Sequence, residues 1–594
     1  MTSRSPRPGD GVTRRALLAG LTAGAAGTSG CVTRLRTLAT RQQPDPISLS
    51  VKCLPVDEDP YSIAIARQFS EWLGTAGIDT TIEPMTAEEL YRQTLVNDEF
   101  DVFVGQFPTH TVQPDALYSL LHSRFAVEAG WQNPFGYTNL TVDDLLTEQR
   151  QTSGDRRVEA VAEIQRHLVR ECPFVVVGFP DVIRAASTDR FTGWRSMAGL
   201  SPLHLLSLDR RDLSATTLRA TTPDTRSTTN LNPLVAPFRR SGSITELIYD
   251  SLARRYRGDL HPWAAAEFEW TAENPPVVRA TLREDLTWHD GESLTADDVA
   301  FTYALLADTS LGSFDEPVPP LRFRGRASLV EAATVLDDRT VEIEFGECTP
   351  EVATRAFTVP LLAEHVWEDR ATRADVSGLD LGSATTEALV TSAIPPVGSG
   401  PLAFESASGR ESLLLSRFED HFLERVDQTQ LPGPIASGVP FDEFELRFVG
   451  SDASAVDLVA NGEADFTSVG VGPDLVRTIG KQQDLTLAVD QTDSFYFLGF
   501  NARRTPLSNP RFRHLLSRLL DRKTLAESVF NDYVTPAVSP LAGTDWRPSD
   551  LAWDPEDPAT SFLGSGGSVN KLRAREAFRD AGYRYNEQNR LLRV

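Results

Sequence analysis

An early part of the sequence alternates between two hydrophobic periods. Residues 47–54, 78–82 and 101–104 have the apolar or alternating character of strands. The segments between them, 62–73 and 87–95, place their apolar residues on one face of a helix. Because parallel strands need crossover connections of this kind, the alternation predicts a parallel sheet and an α/β fold.

A second strand-to-helix unit lies near the middle of the chain. Residues 277–282 are β-branched and apolar, and Asp290-Gly291 supplies a tight turn. Thr295 is the predicted cap of the following helix, whose first turn is acidic. His289 beside Asp290 could suggest a general base. No serine or cysteine nucleophile motif accompanies it, so a hydrogen-bonded turn histidine is the simpler interpretation.

Length and net charge limit the number of domains and the kinds of partner that the chain can have. A chain of 594 residues exceeds what one core usually serves, so we expect two or three domains. The net charge of −25 leaves no basic stripe for a phosphate backbone, which argues against nucleic acid as a partner. An acidic surface keeps a protein soluble at high salt, so we expect either a halophilic source or an acidic exported protein.

The first thirty residues have the form of an export signal. Arg14 and Arg15 precede an apolar run, 16–26, that is too short to span a bilayer. Paired arginines ahead of such a run predict export by the twin-arginine route. We therefore interpret residues 1–30 as a signal segment and place the mature protein outside the cell membrane.

A cysteine ends this segment in a lipobox-like context. Residues 28–31 read Thr-Ser-Gly-Cys, with small residues ahead of the cysteine. The spacing predicts a lipid on Cys31 that anchors the protein to the outer face of the membrane, with polar residues 31–45 as a tether. The alternative is a signal cleaved nearby, with Cys31 incidental.

No catalytic or metal-binding motif is evident. Cys53, Cys172 and Cys348 form no CxxC pair, and the nine histidines make no cluster with them or with Cys31. The chain contains no GxSxG, HExxH or P-loop pattern. We therefore expect a protein that is not an enzyme and that has no metal and no cofactor.

The residue identities in the central unit are more informative than its hydrophobic periodicity. Residues 279–303, RATLREDLTWHDGESLTADDVAFTY, resemble a segment of the extracellular solute-binding proteins of the dipeptide, oligopeptide and nickel class, family 5. These proteins deliver ligands to ABC importers. The turn at 398–402 and the long segment at 495–525 also resemble this family. They follow the central unit in the same order as in the family.

The other segments that resemble this family occur in a different order from that of the family. Residues 64–85 and 100–107 resemble the carboxy-terminal part of the family. In this chain they come before the segments that resemble the family's amino-terminal part, which begin near residue 217. The end of the chain, 571–594, resembles the segment that in the family runs directly into the strand at 47–54. The resemblance therefore implies a circular permutation, in which residues 209–215 join the old termini.

The resemblance also implies an architecture. It is the two-lobed periplasmic-binding-protein-like fold of type II, an α/β fold with mixed sheets, an extra domain and a ligand cleft between the lobes. The hinge crossings would fall near 174–179 and 494–500. The implied divisions are 46–175 and 493–594 for lobe two, 176–255 and 388–492 for lobe one, and 256–387 for the extra domain.

The implied function is that of a lipid-anchored, monomeric receptor. It would capture a peptide-like or other small solute in the interlobe cleft and deliver it to the permease and ATPase subunits of an ABC importer. Two alternatives stay open. One is a stand-alone solute sensor, and the other is a secreted enzyme with an unrecognised site.

The ligand contacts depart from the family pattern. In peptide-binding relatives an aspartate after a Gly-Trp pair binds the peptide amine, whereas this chain has Gln106 in place of the tryptophan and Thr109-His110 further on. Asp115 could serve instead, although a helix cap is the simpler interpretation, and His110 keeps a nickel ligand open. The predicted ligand-binding residues are Gln106, Phe107, Thr109, His110, Phe495 and Tyr496.

Overall fold

The computed structural model describes most of the chain after the predicted tether. It covers residues 45–593 except 108–112, 195–201, 236–242, 257, 321, 375–384, 427–430, 432–434, 436–437 and 554–556. Arg14, Arg15 and Cys31 lie outside the described residues, as do Thr109 and His110. Within the described ranges, no helix has the length and apolar character needed to cross a membrane.

Strands and helices alternate along both ends of the chain. The strands of the two largest sheets are β1 Ser48–Cys53, β2 Asp79–Pro84, β3 Val102–Gln106, β4 Phe174–Ser187, β5 Thr217–Thr222, β6 Ala265–Glu273, β7 Pro276–Leu282, β8 Val330–Asp337, β9 Thr340–Phe345, β10 Leu402–Ser408, β11 Ser412–Arg417, β12 Glu443–Phe448, β13 Phe466–Thr467, β14 Leu485–Gln491, β15 Tyr496–Phe500 and β16 Val534–Pro536. Short two-stranded pairs join Phe191–Thr192 to Asp209–Arg210, Ala253–Tyr256 to Asp259–Pro262, Gly564–Ser565 to Ser568–Val569, and Arg584–Tyr585 to Leu591–Leu592.

The helices cover the faces of these sheets. They are α1 Pro60–Ala76, α2 Ala87–Tyr91, α3 Ala116–Leu121, α4 Leu140–Gln151, α5 Gly154–Glu171, α6 Pro202–Leu206, α7 Ser243–Ile248, α8 Ala296–Ala307, α9 Arg324–Ala327, α10 Pro350–Ala353, α11 Glu364–Trp367, α12 Glu387–Val390, α13 Asp452–Ala460, α14 Val476–Ile479, α15 Pro510–Ser517, α16 Arg522–Ser528 and α17 Lys571–Asp580.

The larger sheet is mixed. Its strand order is β10-β11-β12-β5-β13-β4-β15-β3-β1-β2, and β14 and β16 also pair with β4. The pairs β1–β2 and β1–β3 are parallel, as the strand–helix alternation predicts. The smaller sheet, β6-β7-β9-β8, is antiparallel. The predicted α/β fold with mixed sheets is confirmed.

The central strand–turn–helix unit forms as its residues predict. Thr295 and Asp298 make a reciprocal capping box at the start of α8. Gly291 adopts a φ of 92°, which glycine reaches without the steric cost of a Cβ. His289 is a turn residue: its amide donates to Gly398 O at 2.8 Å, and its Nε2 lies 2.9 Å from Gly400 O.

The longest strand joins the two halves of the molecule. Residues 174–180 of β4 pair with β15 and β16, whereas residues 181–187 pair with β14 and β13. The strands β14 and β15 are consecutive in the chain and belong to these two different groups of strand pairs. The chain therefore passes between the two groups a second time within 492–495. We call β4, β14 and β15 the hinge. The first crossing lies a few residues beyond the predicted 174–179.

The hydrophobic cores respect this division. We call residues 181–491 the central half, and residues 45–180 with 492–593 the terminal half. Every fully buried member of the largest core belongs to the central half, and two further cores lie wholly in the terminal half. The two halves are therefore separate packing units that share the hinge.

The two ends of the described chain meet in the terminal half. Pro46 forms an antiparallel bridge with Leu592, and the amide of Ile47 donates to Leu591 O at 2.7 Å. The amide of Arg593 donates to Asp45 O at 2.9 Å. The strand that begins the sheet and the last residues of the chain are thus neighbours.

Candidate functional site

The predicted ligand loop leaves β3 beside the hinge. Gln106 is the last residue of β3, and Phe107 follows it. The amide of Phe107 donates to Phe495 O at 2.9 Å, and the hydroxyl of Ser494 donates to Phe107 O at 2.6 Å. The second hinge crossing therefore fixes the backbone at Phe107.

An aromatic cluster surrounds this point. The ring of Phe107 stacks on Phe495 at a centroid distance of 5.3 Å and meets Trp131 edge-on at 5.8 Å. Trp131 in turn lies 5.6 Å from Tyr91. Phe107, Trp131 and Tyr91 are half-buried, so they offer apolar surface next to the hinge. Surfaces of this kind take the apolar part of a small ligand.

One buried polar atom of this cluster has unmet hydrogen-bonding capacity, and a second lies on the opposite face of the sheet. Gln106 Oε1 and Trp131 Nε1 are buried, and neither has a hydrogen-bond partner among the described residues. An unsatisfied buried polar atom costs about 1–3 kcal/mol. Trp131 Nε1 is a donor, so a solute that supplies an acceptor beside Phe107 would recover this cost. Gln106 pairs with Tyr496 across β3 and β15, so its side chain lies on the opposite face of the sheet from Phe107. Trp131 carries no motif and was not predicted, because only its spatial contact with Phe107 identifies it.

The two predicted residues of the hinge segment are buried in different cores. Phe495 is 1 % exposed and packs with Phe174 and Phe179 behind Phe107. Tyr496 is 2 % exposed, and its hydroxyl lies 3.0 and 2.9 Å from the two carboxylate oxygens of Asp59. Strand alternation turns Tyr496 to the opposite face of the sheet from Phe495 and Phe107. Phe495 supports Phe107 from behind.

Asp115 is occupied by the protein's own cations. Its Oδ1 accepts from Arg150 Nε at 2.5 Å and from Gln149 at 3.0 Å, and its Oδ2 accepts from Arg150 Nη2 at 3.2 Å and from Arg355. The side chain is 0 % exposed and makes no capping bond to α3. Asp115 therefore holds the N-cap position of α3 without a side-chain capping bond, and its carboxylate is bound by the two arginines.

The electrostatics of this carboxylate follow from its partners. Burial alone would raise the pKa of Asp115, but the positive charges of Arg150 and Arg355 outweigh that effect and lower it. The carboxylate stays ionised at neutral pH and is committed to the two arginines.

The described residues hold no metal-binding constellation. No group of three or more His, Cys, Asp or Glu side chains in the described ranges could hold a metal ion. Cys53, Cys172 and Cys348 are buried free thiols, and burial raises their pKa values to about 11, 11 and 12. Protonated, buried thiols are poor nucleophiles and poor metal ligands. Burial likewise lowers the pKa of His289 to about 4.

Comparisons with known proteins identify relatives over about half the chain. A putative ABC transporter peptide-binding protein of Brucella ovis is 25 % identical over 318 residues, which is 52 % of this chain and 52 % of that protein. A probable peptide-binding protein of Agrobacterium fabrum is 26 % identical over 340 residues, covering 53 % and 49 %. The chain thus spans about half the length of the curated relatives it matches.

Solved structures give similar coverage. NikZ from Campylobacter jejuni, in complex with Ni(L-His), superposes with a TM-score of 0.45 at 16 % identity, covering 64 % of this chain and 66 % of that one. AppA from Bacillus subtilis, in complex with a nonapeptide, gives 0.43 at 16 % identity, covering 62 % and 65 %.

The family comparison is the decisive one. The model of the bacterial extracellular solute-binding proteins, family 5 Middle, matches residues 259–592, which is more than half of the chain. This family consists of binding proteins rather than enzymes. The chain belongs to family 5 of the bacterial extracellular solute-binding proteins.

Proposed function

We propose that this protein is an extracytoplasmic receptor that encloses a small solute between its two halves and presents it to an ABC importer. The observation that carries the proposal is the half-buried aromatic surface at the hinge, which contains the unpaired Trp131 Nε1. A site beside a hinge changes shape when the halves close, which couples binding to recognition by a permease.

The proposed ligand is peptide-like or another small solute, recognised without an amine-binding carboxylate. Asp115 is unavailable because Arg150 and Arg355 occupy it. A buried ammonium without a counterion costs several kcal/mol, so the family's amine contact is not expected here. We expect an apolar group against Phe107 and Trp131 and a neutral hydrogen-bond acceptor for Trp131 Nε1.

Mass spectrometry of the purified protein under native conditions should reveal the copurifying solute. For that solute, Trp131→Ala should weaken binding by at least tenfold through loss of apolar surface. Trp131→Phe should weaken it by about 2–12-fold, the equivalent of one hydrogen bond worth about 0.5–1.5 kcal/mol. Leu572→Ala, at an exposed helical residue in the terminal half, is the control. Equal affinities for all three variants would contradict the assignment of the site.

The membrane anchor is a separate part of the proposal. The support is the sequence alone: Arg14-Arg15 ahead of an apolar run, then Cys31 after small residues. Cys31→Ser should release the protein into the medium or leave it unprocessed, as cell fractionation would measure. Unchanged retention in the membrane fraction would argue against lipidation.

We also propose that the chain is circularly permuted relative to its family. The bridge between Pro46 and Leu592 supports this, since it brings the two ends within reach of a short loop. The family match, which begins at residue 259 and ends at 592, is compatible with it.

The permutation can be reversed in the laboratory. Joining Arg593 to Asp45 through a short glycine-serine linker and opening the chain after Leu213, an exposed residue, should preserve cooperative unfolding and the far-UV circular dichroism spectrum. The same opening without the new linkage is the control. Loss of cooperative folding in the rejoined protein alone would contradict the permutation.

A further inference from the structure

The two halves also meet away from the hinge. Residues 115–157 of the terminal half contact residues 324–358 of the central half, and we call these contacts the seam. None of its residues belongs to the hinge strands. Buried apolar residues on the two sides, such as Leu146 and Phe357, belong to different cores. The seam is therefore held by polar groups.

Asp115 and Arg150 form the centre of the seam. Asp115 binds Arg150 on its own side and Arg355 on the opposite side, and the Arg355 side chain is only 13 % exposed. Arg150 also crosses the seam: its Nη2 donates to Gly325 O at 3.3 Å, and its carbonyl oxygen accepts from the amide of Thr349 at 2.8 Å.

Two further ion pairs flank this centre. Arg324 binds Glu128 through two parallel bonds of 2.9 and 3.0 Å, the bidentate geometry that an arginine and a carboxylate favour. Arg157 Nη1 lies 2.8 Å from Glu351 Oε1. Opposite charges therefore match along the seam on both sides of Asp115.

Gly325 lies close against the side chain of Ser119. A Cβ built on Gly325 would lie 2.4 Å from Ser119 Oγ and 2.9 Å from Ser119 Cβ. The exposed edge of the seam adds a bond of 2.6 Å from Gln151 Nε2 to Glu347 Oε2. Contacts therefore run from the buried centre to the solvent.

A polar seam can separate without exposing a hydrophobic core. Its charged groups regain water when they part, so part of their lost attraction is returned as hydration. A polar interface between packing units is the kind across which relative motion is expected. The hinge, in contrast, stays connected by the chain itself.

We propose that the seam is a latch: the protein's own ion pairs hold the two halves together before any solute binds, and opening requires that Arg355 release Asp115. The inference extends the receptor function proposed above. It concerns the solute-free protein, so it can be tested without knowing the ligand.

Small-angle X-ray scattering of the solute-free mature protein tests the latch. Arg355→Gln removes the central cation from one side and leaves Arg150 to neutralise Asp115 within the other. We expect the radius of gyration, about 24 Å for a compact chain of this size, to rise by on the order of 1 Å. Arg166→Gln, which breaks an ion pair with Asp550 inside the terminal half, should leave it unchanged.

Spectroscopy and denaturation distinguish opening from damage. An opened Arg355→Gln protein should keep the far-UV circular dichroism spectrum and the cooperative urea unfolding of the wild type, whereas a damaged protein would lose both. Should Arg355→Gln fail to fold, Arg324→Gln carries the test with a smaller expected increase in the radius of gyration. An unchanged radius in a folded arginine variant, or an increase that comes with loss of cooperative unfolding, would overturn the proposal.

Discussion

The hinge and the seam join the same two halves by opposite means. At the hinge, backbone hydrogen bonds pair β4 with β14 and β15, and buried phenylalanine rings pack on the pairs. At the seam, charged side chains meet across two separate cores. One connection is continuous and apolar, and the other is interrupted and ionic.

This difference indicates which of the two contacts can open. Opening the hinge would expose aromatic rings and break strand pairs, so its free energy is unfavourable in all salt conditions. Opening the seam exposes groups that water solvates well. In the proposed receptor, the hinge would be the fixed contact between the halves and the seam the releasable one.

The largest effect is expected at the hinge. Phe497 is buried, with its ring centroid 5.3 Å from that of Phe103 and 5.8 Å from that of Phe174. Phe497→Ala should lower the free energy of unfolding by about 3–5 kcal/mol through loss of burial and formation of a cavity. Urea denaturation at low and at molar salt should give the same loss. Val489→Ala, at an exposed residue of β14, is the control. A strongly salt-dependent loss in Phe497→Ala would contradict the contrast between hinge and seam.

A comparable effect is expected at the centre of the seam. Asp115→Asn leaves Arg150 and Arg355 without a carboxylate in a buried site, which should cost about 3–5 kcal/mol at neutral pH. Denaturant unfolding of the two proteins measures the difference. Asp550→Asn, which affects an exposed pair, should change little.

The same pair of proteins gives a pH test with a definite sign. The pKa of Asp115 is lowered in the folded state, so its contribution is present above the usual pKa of about 3.9 and is lost as pH falls through the lower, folded-state value. The difference between wild type and Asp115→Asn should therefore shrink in acid. A difference that does not shrink as pH falls below about 3.9 would show that the carboxylate's charge does not hold the seam.

Local patterns predicted the fold well because its elements are encoded locally. The capping box at Thr295 and Asp298 and the parallel strands at 47–104 follow from residues a few positions apart. The partners of Asp115 do not: Arg355 lies 240 residues away, and nothing near Asp115 announces it. Trp131 was missed for the same reason, since its contact with Phe107 arises only in three dimensions.

The ion pair of Glu128 and Arg324 at the flank of the seam should contribute less to the free energy of unfolding than Asp115 at its centre. Glu128 and Arg324 are each about one-fifth exposed, so water already solvates part of both charges. Glu128→Gln should cost about 1 kcal/mol at low salt and less in molar salt, because ions screen partly exposed pairs. Parallel denaturation curves at two salt concentrations measure this. A loss as large as that of Asp115→Asn would mean that the seam has no dominant centre.

The smallest effect is expected where the seam meets solvent. The bond from Gln151 to Glu347 is exposed, and water can replace either partner. Gln151→Ala should change the free energy of unfolding by less than about 0.5 kcal/mol, the usual range for exposed polar contacts. The double variant with Glu347→Ala closes a mutant cycle, whose coupling energy should be near zero. If this coupling instead matched that of Glu128 with Arg324, the strength of the seam would not follow burial. The latch would then be a uniform polar contact along its whole length, rather than one held by Asp115 and Arg355.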